Sequence, residues 1–442
     1  MKKSSSTLKI FLCILGGILI SLCSFWAGFL VKSATIDDDA ETINYILSMY
    51  KQYYYEELES DQIIDIFTSS LLDDYSDYYS AEEMELIYKA SQGSHQGIGI
   101  NYDGYTNTIV NVSWNSPADR AGVLAGGVVT GYKMGDGQVV SILAQNKGGD
   151  ADSLSNALSQ VPVDTDFSLI VDYSGEELQF LVRREEYTET FVRYYDNSGE
   201  YGFRTVGDQM LFEKIGNNNR YDLNGNNSIG VIDYNGFDGV LEGDWGSSGQ
   251  FKTALSKFKE NGKTKLILDL RDNGGGYVDI MCSVASHLVN VENGSEVPAI
   301  VVKDKYENTE IYNTTPVDYA DYNFSGIVVL ANDWSASASE ALIGAMLDYD
   351  PNNIVKVVLE ESQYEPGVYK TYGKGIMQRT FPNLLKGDAV KLTVAKLFWP
   401  TSNLTIHGVG VTTKLNESFS QTKIYNESAK NSCVSQAVQL LK

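Results

Sequence analysis

The chain has little positive charge for its size. Its 442 residues include 34 lysines and arginines against 58 aspartates and glutamates, so the formal net charge is −24. Binding to nucleic acid depends on dense Lys and Arg side chains that neutralise phosphates. The composition therefore excludes a nucleic-acid partner.

Residues that bind metals or form disulfides are also few. There are three histidines, His95, His287 and His407, and four cysteines without a CxxC pair, so a zinc site has little from which to be built. Two cysteines lie in an apolar N-terminal stretch, which leaves Cys282 and Cys433. Their spacing does not decide between one disulfide and two separate buried thiols. We predict no metal site and no cofactor.

The first lysines of the chain surround a long uncharged stretch. Residues 1–36 carry four lysines and no acid, and residues 10–31 carry no charge at all. In a helix, about 20 apolar residues cross the hydrocarbon core of a bilayer. A cleaved signal peptide is the alternative, but the stretch is longer than the apolar part of such a peptide and no clear small-x-small cleavage site follows it. The sequence therefore predicts a transmembrane anchor in residues 1–35.

The charges that flank this anchor predict its orientation. Three lysines precede the span and an acidic run, residues 37–39, follows it, so the positive-inside rule places the amino end in the cytoplasm. Because the first 36 residues carry four lysines, the rest of the chain has a net charge of −28. We expect a single-pass protein of the cell membrane whose bulk works outside the cytoplasm.

The remaining chain is long enough for two or three domains. Apolar residues recur at helical spacing before residue 92, and short apolar runs between glycines follow. From residue 229 onward, strand-like and helix-like runs alternate, which is typical of an α/β core with partly parallel strands. The predicted parts are a helical segment 36–92, a β-rich domain 93–186, an α/β core 187–415 that is least regular before residue 229, and a C-terminal helical segment 416–442.

Folds of this type place their chemistry where a strand ends in a tight turn. The predicted strands are 229–232, 265–270, 326–331 and 354–359, and the predicted helices are 248–261, one after Tyr277, and 336–347. The second strand runs into Arg271-Asp-Asn-Gly-Gly-Gly, whose glycines allow a sharp turn and leave N–H groups free to donate to an oxyanion. A plain turn is the alternative, and no Lys-Ser/Thr pair follows as in a Walker loop.

The third strand is followed by Ser335-Ala-Ser-Ala-Ser-Glu. A serine at a helix N-terminus lies where the helix dipole stabilises negative charge, although serine is also a common N-cap. Downstream, Lys374 stands between two glycines, and burial would lower its pKa so that the neutral amine can act as a base. Gln378 shares a face with Lys374 and can orient the amine. A lone surface lysine is the alternative reading of Lys374.

Taken in order, these stretches resemble the carboxyl-terminal processing peptidases, which are tail-specific serine peptidases with a Ser-Lys dyad and a PDZ domain. The resemblance covers most of the chain after the predicted anchor, and the ordered set is far more specific than any single stretch. The matching stretches are 71–83, 95–100, 116–123, 268–276, 335–340, 373–378, 391–396 and 408–411.

The resemblance implies a role for each candidate site residue. Ser337 is the implied nucleophile, Lys374 its general base and Gln378 the amide that supports the base. Neutral Lys374 would remove the Ser337 proton, and the hydroxyl would attack a peptide carbonyl to form an acyl-enzyme. The implied oxyanion donors are the backbone N–H groups of Ala338 and of Gly275 or Gly276.

The resemblance also implies the fold, an α/β core of the ClpP/crotonase type with an inserted PDZ domain. An extended peptide would add to that domain as a strand, and a terminal carboxylate would bind at the loop N–H groups. The implied carboxylate-binding residues are Gly97, Ile98, Gly99 and Ile100. An ordinary β-rich spacer is the alternative. The expected partners are protein or peptide substrates with accessible C-termini, and the resemblance is compatible with a homodimer.

The sequence therefore predicts a membrane-anchored, extracytoplasmic serine endopeptidase that cleaves proteins near their C-terminal tails. The alternative function is that of a catalytically inactive PDZ adaptor or scaffold at the membrane. A Ser-His-Asp hydrolase would need a histidine close to the nucleophile, and none of the three histidines stands in a matching motif.

Overall fold

A computed structural model gives the structure of the chain, which divides into two compact units, Met1–Leu71 and Leu72–Lys442. The predicted anchor at residues 10–31 lies outside the residues that the structure describes. Within those residues, no helix has the length and apolar character needed to span a membrane. The described residues are 38–53, 60–91, 93–150, 153–206, 209–241, 243, 245–291, 295–317, 319–362, 365–415 and 423–442.

Both α-helices and β-strands occur along the described part of the chain. The helices are α1 Asp38–Tyr53, α2 Ser60–Leu71, α3 Ala81–Ser91, α4 Pro117–Arg120, α5 Ser153–Ser159, α6 Ser247–Glu260, α7 Val278–Ala285, α8 Ala338–Asp348 and α9 Lys430–Leu440. The first strands are β1 Asp77–Tyr79, β2 Ser94–Gly97, β3 Ile100–Asp103, β4 Thr108–Val112, β5 Val128–Lys133, β6 Val139–Ser141, β7 Thr165–Tyr173 and β8 Glu176–Thr188. The later strands are β9 Val192–Asp196, β10 Gly199–Val206, β11 Gln209–Gly216, β12 Ile229–Tyr234, β13 Lys265–Asp269, β14 Pro298–Asp304, β15 Thr309–Asn313, β16 Gly326–Ala331, β17 Val355–Glu360, β18 Ile376–Pro382, β19 Ala389–Phe398 and β20 Ile424–Glu427.

An eight-stranded sheet forms the centre of the second unit, with the strand order β11-β10-β9-β12-β13-β16-β17-β20. Strands β12, β13, β16, β17 and β20 pair in parallel, and β9 to β11 form an antiparallel meander at one edge. The α/β core predicted from the sequence is confirmed. Because the main strands are parallel, the turns that follow β13 and β16 lie at the same edge of the sheet.

Both faces of this sheet are covered by helices. Apolar residues of α6, α7 and α8 pack on one face, and those of α9 pack on the other. Cys282 lies in the first cluster and Cys433 in the second, and both thiols are free and buried. Burial raises the pKa of each thiol to about 12. The two cysteines are therefore separate protonated core residues and form no disulfide.

Two parts of the core differ from the sequence prediction. Residues 187–228 were expected to be the least regular, yet they include the meander β9 to β11. Residues 416–442 were expected to be helical, yet β20 precedes α9 and pairs with β17 as the last strand of the sheet. The pairing of β20 with β17 joins residues that are far apart in the chain, so local periodicity does not reveal it.

A second sheet lies in the part of the chain for which the sequence predicts a β-rich domain. Its strand order is β2-β8-β7-β5-β4-β3, with β6 on β5, and all pairs are antiparallel. Its core is a separate cluster that includes Ile109, Leu154 and Phe167. This sheet with α4 and α5 is a PDZ-like module beside the α/β core.

A third sheet has the order β1-β19-β14-β15, with β18 paired to β19. Strand β1 comes from the segment that was expected to be wholly helical, and Asp77 to Tyr79 pair with Lys391 to Ala389. Lys374 lies two residues before β18. The chain segment in front of the PDZ-like module therefore pairs with the same sheet whose strand β18 begins just after Lys374.

Candidate active site

The three serines of the Ser-Ala-Ser-Ala-Ser run differ in their surroundings. The Ser335 hydroxyl donates to the Leu270 carbonyl at 2.7 Å, and the Ser339 hydroxyl donates to the Asn273 carbonyl at 2.9 Å. Both side chains are fully buried, whereas Ser337 is partly exposed. The outer serines thus hold the run against the turn after β13, and the middle one presents its side chain to the surface.

Ser337 has an unusual backbone conformation, with φ +55° and ψ −111°, directly before α8. Residues with a Cβ rarely adopt a positive φ, and such strain costs on the order of 1–3 kcal/mol. The turn after β13 packs against it, because a Cβ on Gly275 would lie 2.9 Å from the Ser337 Cβ and 2.7 Å from the Ala336 carbonyl oxygen. Glycine at position 275 therefore lets the two turns touch.

The two glycines that were candidate oxyanion donors differ in the hydrogen bonding of their N–H groups. The Gly275 N–H donates to the Asn273 side-chain oxygen at 2.9 Å, so it is occupied. Gly276 forms a parallel bridge with Phe237, an arrangement in which the neighbours of Gly276 make the hydrogen bonds and its own N–H points away. Neither Gly276 nor Ala338 has an acceptor for its N–H among the described residues. Gly276 and Ala338 are the better pair of donors.

A buried carboxylate joins the serine turn to the lysine loop. Glu340 Oε2 accepts the N–H groups of Ser337 and Lys374, each at 2.9 Å. Its Oε1 accepts the Gly373 N–H at 2.8 Å and the Thr371 hydroxyl. Glu340 is fully buried, and burial raises its pKa while these hydrogen bonds lower it. One side chain thus holds the backbone of Ser337 close to the backbone of Lys374.

The sequence prediction included Glu340 only as part of the matching stretch and gave it no role. The available signal was a serine at the start of a predicted helix with a glutamate three residues later, which is the pattern of a capping box. In such a box the glutamate side chain accepts the N–H of the first residue, as it does here. The two hydrogen bonds to the lysine loop could not be derived from that pattern.

Lys374 is half-buried, and burial lowers its pKa. The positive charge of Lys391 lowers it further, and Glu340 opposes both effects. A lowered pKa is the direction that a lysine needs to act as a general base. Within the described structure, no hydrogen bond joins the Ser337 hydroxyl to the Lys374 ammonium group, whose Nζ lies 5.2 Å from the centre of the Tyr75 ring.

Gln378 has a hydrogen-bond partner on the neighbouring strand. Its amide nitrogen donates to the Thr393 hydroxyl at 3.1 Å, across the pair formed by β18 and β19. The pairing shifts register between Met377 and Gln378, so the simple alternation of faces from Lys374 onward is interrupted. The supporting role of Gln378 stays a prediction.

The loop at residues 97–100 of the PDZ-like module borders a cavity of about 660 Å³. The carbonyl groups of Ile98 and Gly99 accept hydrogen bonds from Ala118 and Ser113. The N–H groups of Ile98 and Gly99 have no acceptor among the described residues. The loop therefore presents two free donors next to the cavity, as a carboxylate site requires.

The hydrogen bonds of the Glu340 carboxylate predict that the substitution Glu340→Gln destabilises the fold. In Glu340→Gln, the amide NH2 replaces an oxygen that accepts at least one backbone N–H, whichever way the amide is turned. Each buried N–H left without an acceptor costs about 1–3 kcal/mol. We expect a clear decrease in the free energy of unfolding, measured by chemical denaturation.

The matched control for this prediction is Glu176→Gln, because Glu176 is exposed at the start of β8. It should leave the free energy of unfolding within about 0.5 kcal/mol of the wild type. Equal stability of the two variants would contradict the role of Glu340 as the joint between the two loops.

Comparison with protein families places these residues in a known domain. Residues 228–416 match the model of peptidase family S41. The match includes the glycine turn after β13, the serine run and the lysine loop. The PDZ-like module and the helices before it lie outside the matched residues.

The similarity to curated relatives extends beyond the residues that the family model matches. A protein described as a "Probable CtpA-like serine protease" from Staphylococcus aureus (strain COL) is 28% identical over 388 residues, which cover 84% of this chain and 64% of that protein. One from Staphylococcus epidermidis is 26% identical over 383 residues, with 84% and 63% covered. The chain thus spans less than two thirds of the length of these relatives.

Among solved structures, the photosystem II D1 C-terminal processing protease is 21% identical, with a TM-score of 0.46 and coverage of 83% of this chain and 84% of that one. A structure described as an S41 protease from Bacteroides fragilis NCTC 9343 is 16% identical, with a TM-score of 0.47 and coverage of 90% and 96%. Residues 228–416 of the chain thus match peptidase family S41, which is the family that this part of the chain resembles.

Proposed function

We propose that the protein is a serine endopeptidase, anchored in the cell membrane with its catalytic part outside the cytoplasm, that cleaves proteins near their C-terminal tails. The observation that carries the catalytic part of this proposal is the Glu340 carboxylate, which accepts N–H groups from both Ser337 and Lys374. An adaptor that binds without cleaving has no need of a strained serine held beside a half-buried lysine.

In the proposed reaction, the neutral Lys374 amine takes the proton of the Ser337 hydroxyl, and the oxygen attacks the carbonyl carbon of the scissile peptide bond. The N–H groups of Gly276 and Ala338 stabilise the resulting oxyanion. The Lys374 ammonium then gives its proton to the leaving amine, which leaves an acyl-enzyme ester. A water molecule, deprotonated by Lys374, hydrolyses that ester and restores Ser337.

The membrane part of the proposal depends on the sequence. The uncharged residues 10–31, the lysines before them and the acidic run after them support an anchor with its amino end in the cytoplasm. The net charge of −28 on the rest of the chain is compatible with a body that is solvated outside the cytoplasm. The homodimer that the resemblance implies stays a prediction.

Selection by the C-terminal tail would depend on the PDZ-like module. Ile98 and Gly99 offer two free N–H donors beside the 660 Å³ cavity, and Leu158 and Phe167 line the same cavity. Hydrogen-bond donors next to apolar side chains fit a peptide whose last residue is apolar and carries a free carboxylate. Peptides that end in a free carboxylate are therefore the proposed ligands.

Two substitutions test the proposed dyad. Ser337→Ala removes the nucleophile, and Lys374→Arg keeps the positive charge on a group that does not give up its proton. Both variants should fold and lose cleavage of an unstructured, tailed protein by about 10³-fold or more. Initial rates of product formation, followed by gel or mass spectrometry, give the measurement.

Ser256→Ala and Lys370→Arg are the matched controls, because Ser256 is exposed on α6 and Lys370 is only partly buried in the loop before Lys374. Both controls should cleave as the wild type does. Cleavage at the wild-type rate by Ser337→Ala would contradict the nucleophile, and full activity of Lys374→Arg would contradict the base. A wild-type protein that binds tailed peptides and never cleaves them would favour the adaptor.

Amidation of the substrate tests the role of the tail. Converting the C-terminal carboxylate to an amide removes the charge that the free N–H groups would bind, so KM should rise about tenfold or more with little change in kcat. Acetylation of the amino end of the same substrate is the control and should change neither constant. An equal KM for the free and amidated substrates would show that the module does not select by the carboxylate.

A further inference from the structure

Tyr75 contacts the candidate base from a distant part of the chain. The Lys374 Nζ lies 5.2 Å from the centre of the Tyr75 ring, within the range of a cation–π interaction. The Tyr75 hydroxyl donates to the Tyr372 hydroxyl at 3.4 Å, and the Tyr372 N–H donates to the Ser335 carbonyl at 3.0 Å. Tyr75 thus contacts two side chains of the same loop, those of Lys374 and Tyr372, and this loop runs beside the serine turn.

The position of Tyr75 is fixed by its own segment. Its N–H donates to the Asp73 carboxylate at 3.2 Å, and the Ser76 N–H donates to the Asp73 carbonyl at 3.0 Å. The Thr393 N–H of β19 donates to the Ser76 hydroxyl at 2.9 Å, and the pairing of β1 with β19 begins at Asp77. Hydrogen bonds on both sides of Tyr75 therefore hold the turn that carries the ring against the third sheet.

The Lys374 ammonium group has no hydrogen-bond acceptor among the described residues. It contacts the face of the Tyr75 ring, and such a ring face favours a positive charge. Burial and the charge of Lys391 both favour the neutral amine, and Glu340 favours the ammonium. The titratable groups around the lysine are Lys391 on β19, Glu340 on α8, Tyr75 with Asp73 and Asp74 beside it, Tyr372 on the same loop, and His407 on the turn that packs against Gly375.

We propose that Tyr75 is a positioning residue for Lys374, whose ring face holds the ammonium group and stabilises its charged form. Two opposing effects then set the pH at which Lys374 becomes neutral. Burial favours the neutral amine, and contact with the ring favours the charged form. This inference rests on the proposed function, because it concerns the proton that Lys374 must lose before it can act.

The pH dependence of kcat/KM tests this role. Activity should rise with pH as Lys374 loses its proton, so the acid limb reports the pKa of Lys374 in the free enzyme. Tyr75→Leu removes the ring that stabilises the charged form. The pKa of Lys374 should therefore fall, and the acid limb should move by about 0.4–1.5 pH units toward acid. Tyr75→Phe keeps the ring and should retain the wild-type limb.

Tyr79→Leu is the matched control. The Tyr79 ring lies 5.3 Å from the Lys391 Nζ, so the same type of contact is removed four residues further along the segment while Lys391 keeps its charge. Its acid limb should stay at the wild-type position. Tyr75→Met provides a second variant without a ring in case Tyr75→Leu fails to fold, which thermal unfolding of each variant would show.

An acid limb that stays in place or moves to higher pH in Tyr75→Leu and Tyr75→Met would overturn the inference, as would an equal shift in Tyr75→Phe. If Lys374→Arg is inactive, such a result overturns only the role of Tyr75. If Lys374→Arg keeps its activity, the base of the proposed function is wrong, and the acid limb belongs to another group.

Discussion

The carboxylate of Glu340 is a buried negative charge that four donors from two separate parts of the chain surround. A buried carboxylate without donors is costly, so the chain must bring these groups to it. Three of the donors are backbone N–H groups, which fixes the path of the main chain at Ser337, Gly373 and Lys374. The relative position of the serine turn and the lysine loop therefore follows from one side chain.

The strain at Ser337 is maintained by rigid surroundings. Helix α8, which begins directly after it, packs so closely on Trp399 that a Cβ on Gly344 would lie 2.1 Å from the indole nitrogen. Trp399 follows β19, and β19 also carries Thr393, to which the Tyr75 segment is attached. Helix α8, which follows Ser337, is thus packed against the third sheet, whose strand β18 follows Lys374. Precise placement of a nucleophile and its base requires such support.

The regular part of the core could be predicted from the sequence because its signals are local. Strand β16, Gly326–Ala331, has the predicted bounds, and helix α8 begins within two residues of the prediction. Such segments have an apolar pattern of strand or helix length, bounded by turn residues. Strand β20 was missed because its pairing depends on β17, a partner far away in the chain. The meander β9 to β11 was missed although its strands are consecutive hairpins.

The site shows the same division between local and distant information. Ser337 and Lys374 could be named from their stretches, and the structure places their backbones on one carboxylate. The choice of Gly276 over Gly275 required the Asn273 side chain, and the contact of Gln378 with Thr393 required the register of β18 on β19. Tyr75 is separated from Lys374 by most of the chain, so no spacing in the sequence indicates their contact.

Covalent labelling tests most directly whether this arrangement makes Ser337 the reactive serine. A serine-directed phosphonate reacts with a hydroxyl that has a base and an oxyanion site beside it. Peptide mapping of the labelled wild-type protein by mass spectrometry should find a single adduct, on Ser337. An adduct on Ser335 or Ser339, or an unlabelled Ser337 in protein that cleaves its substrate, would contradict the account.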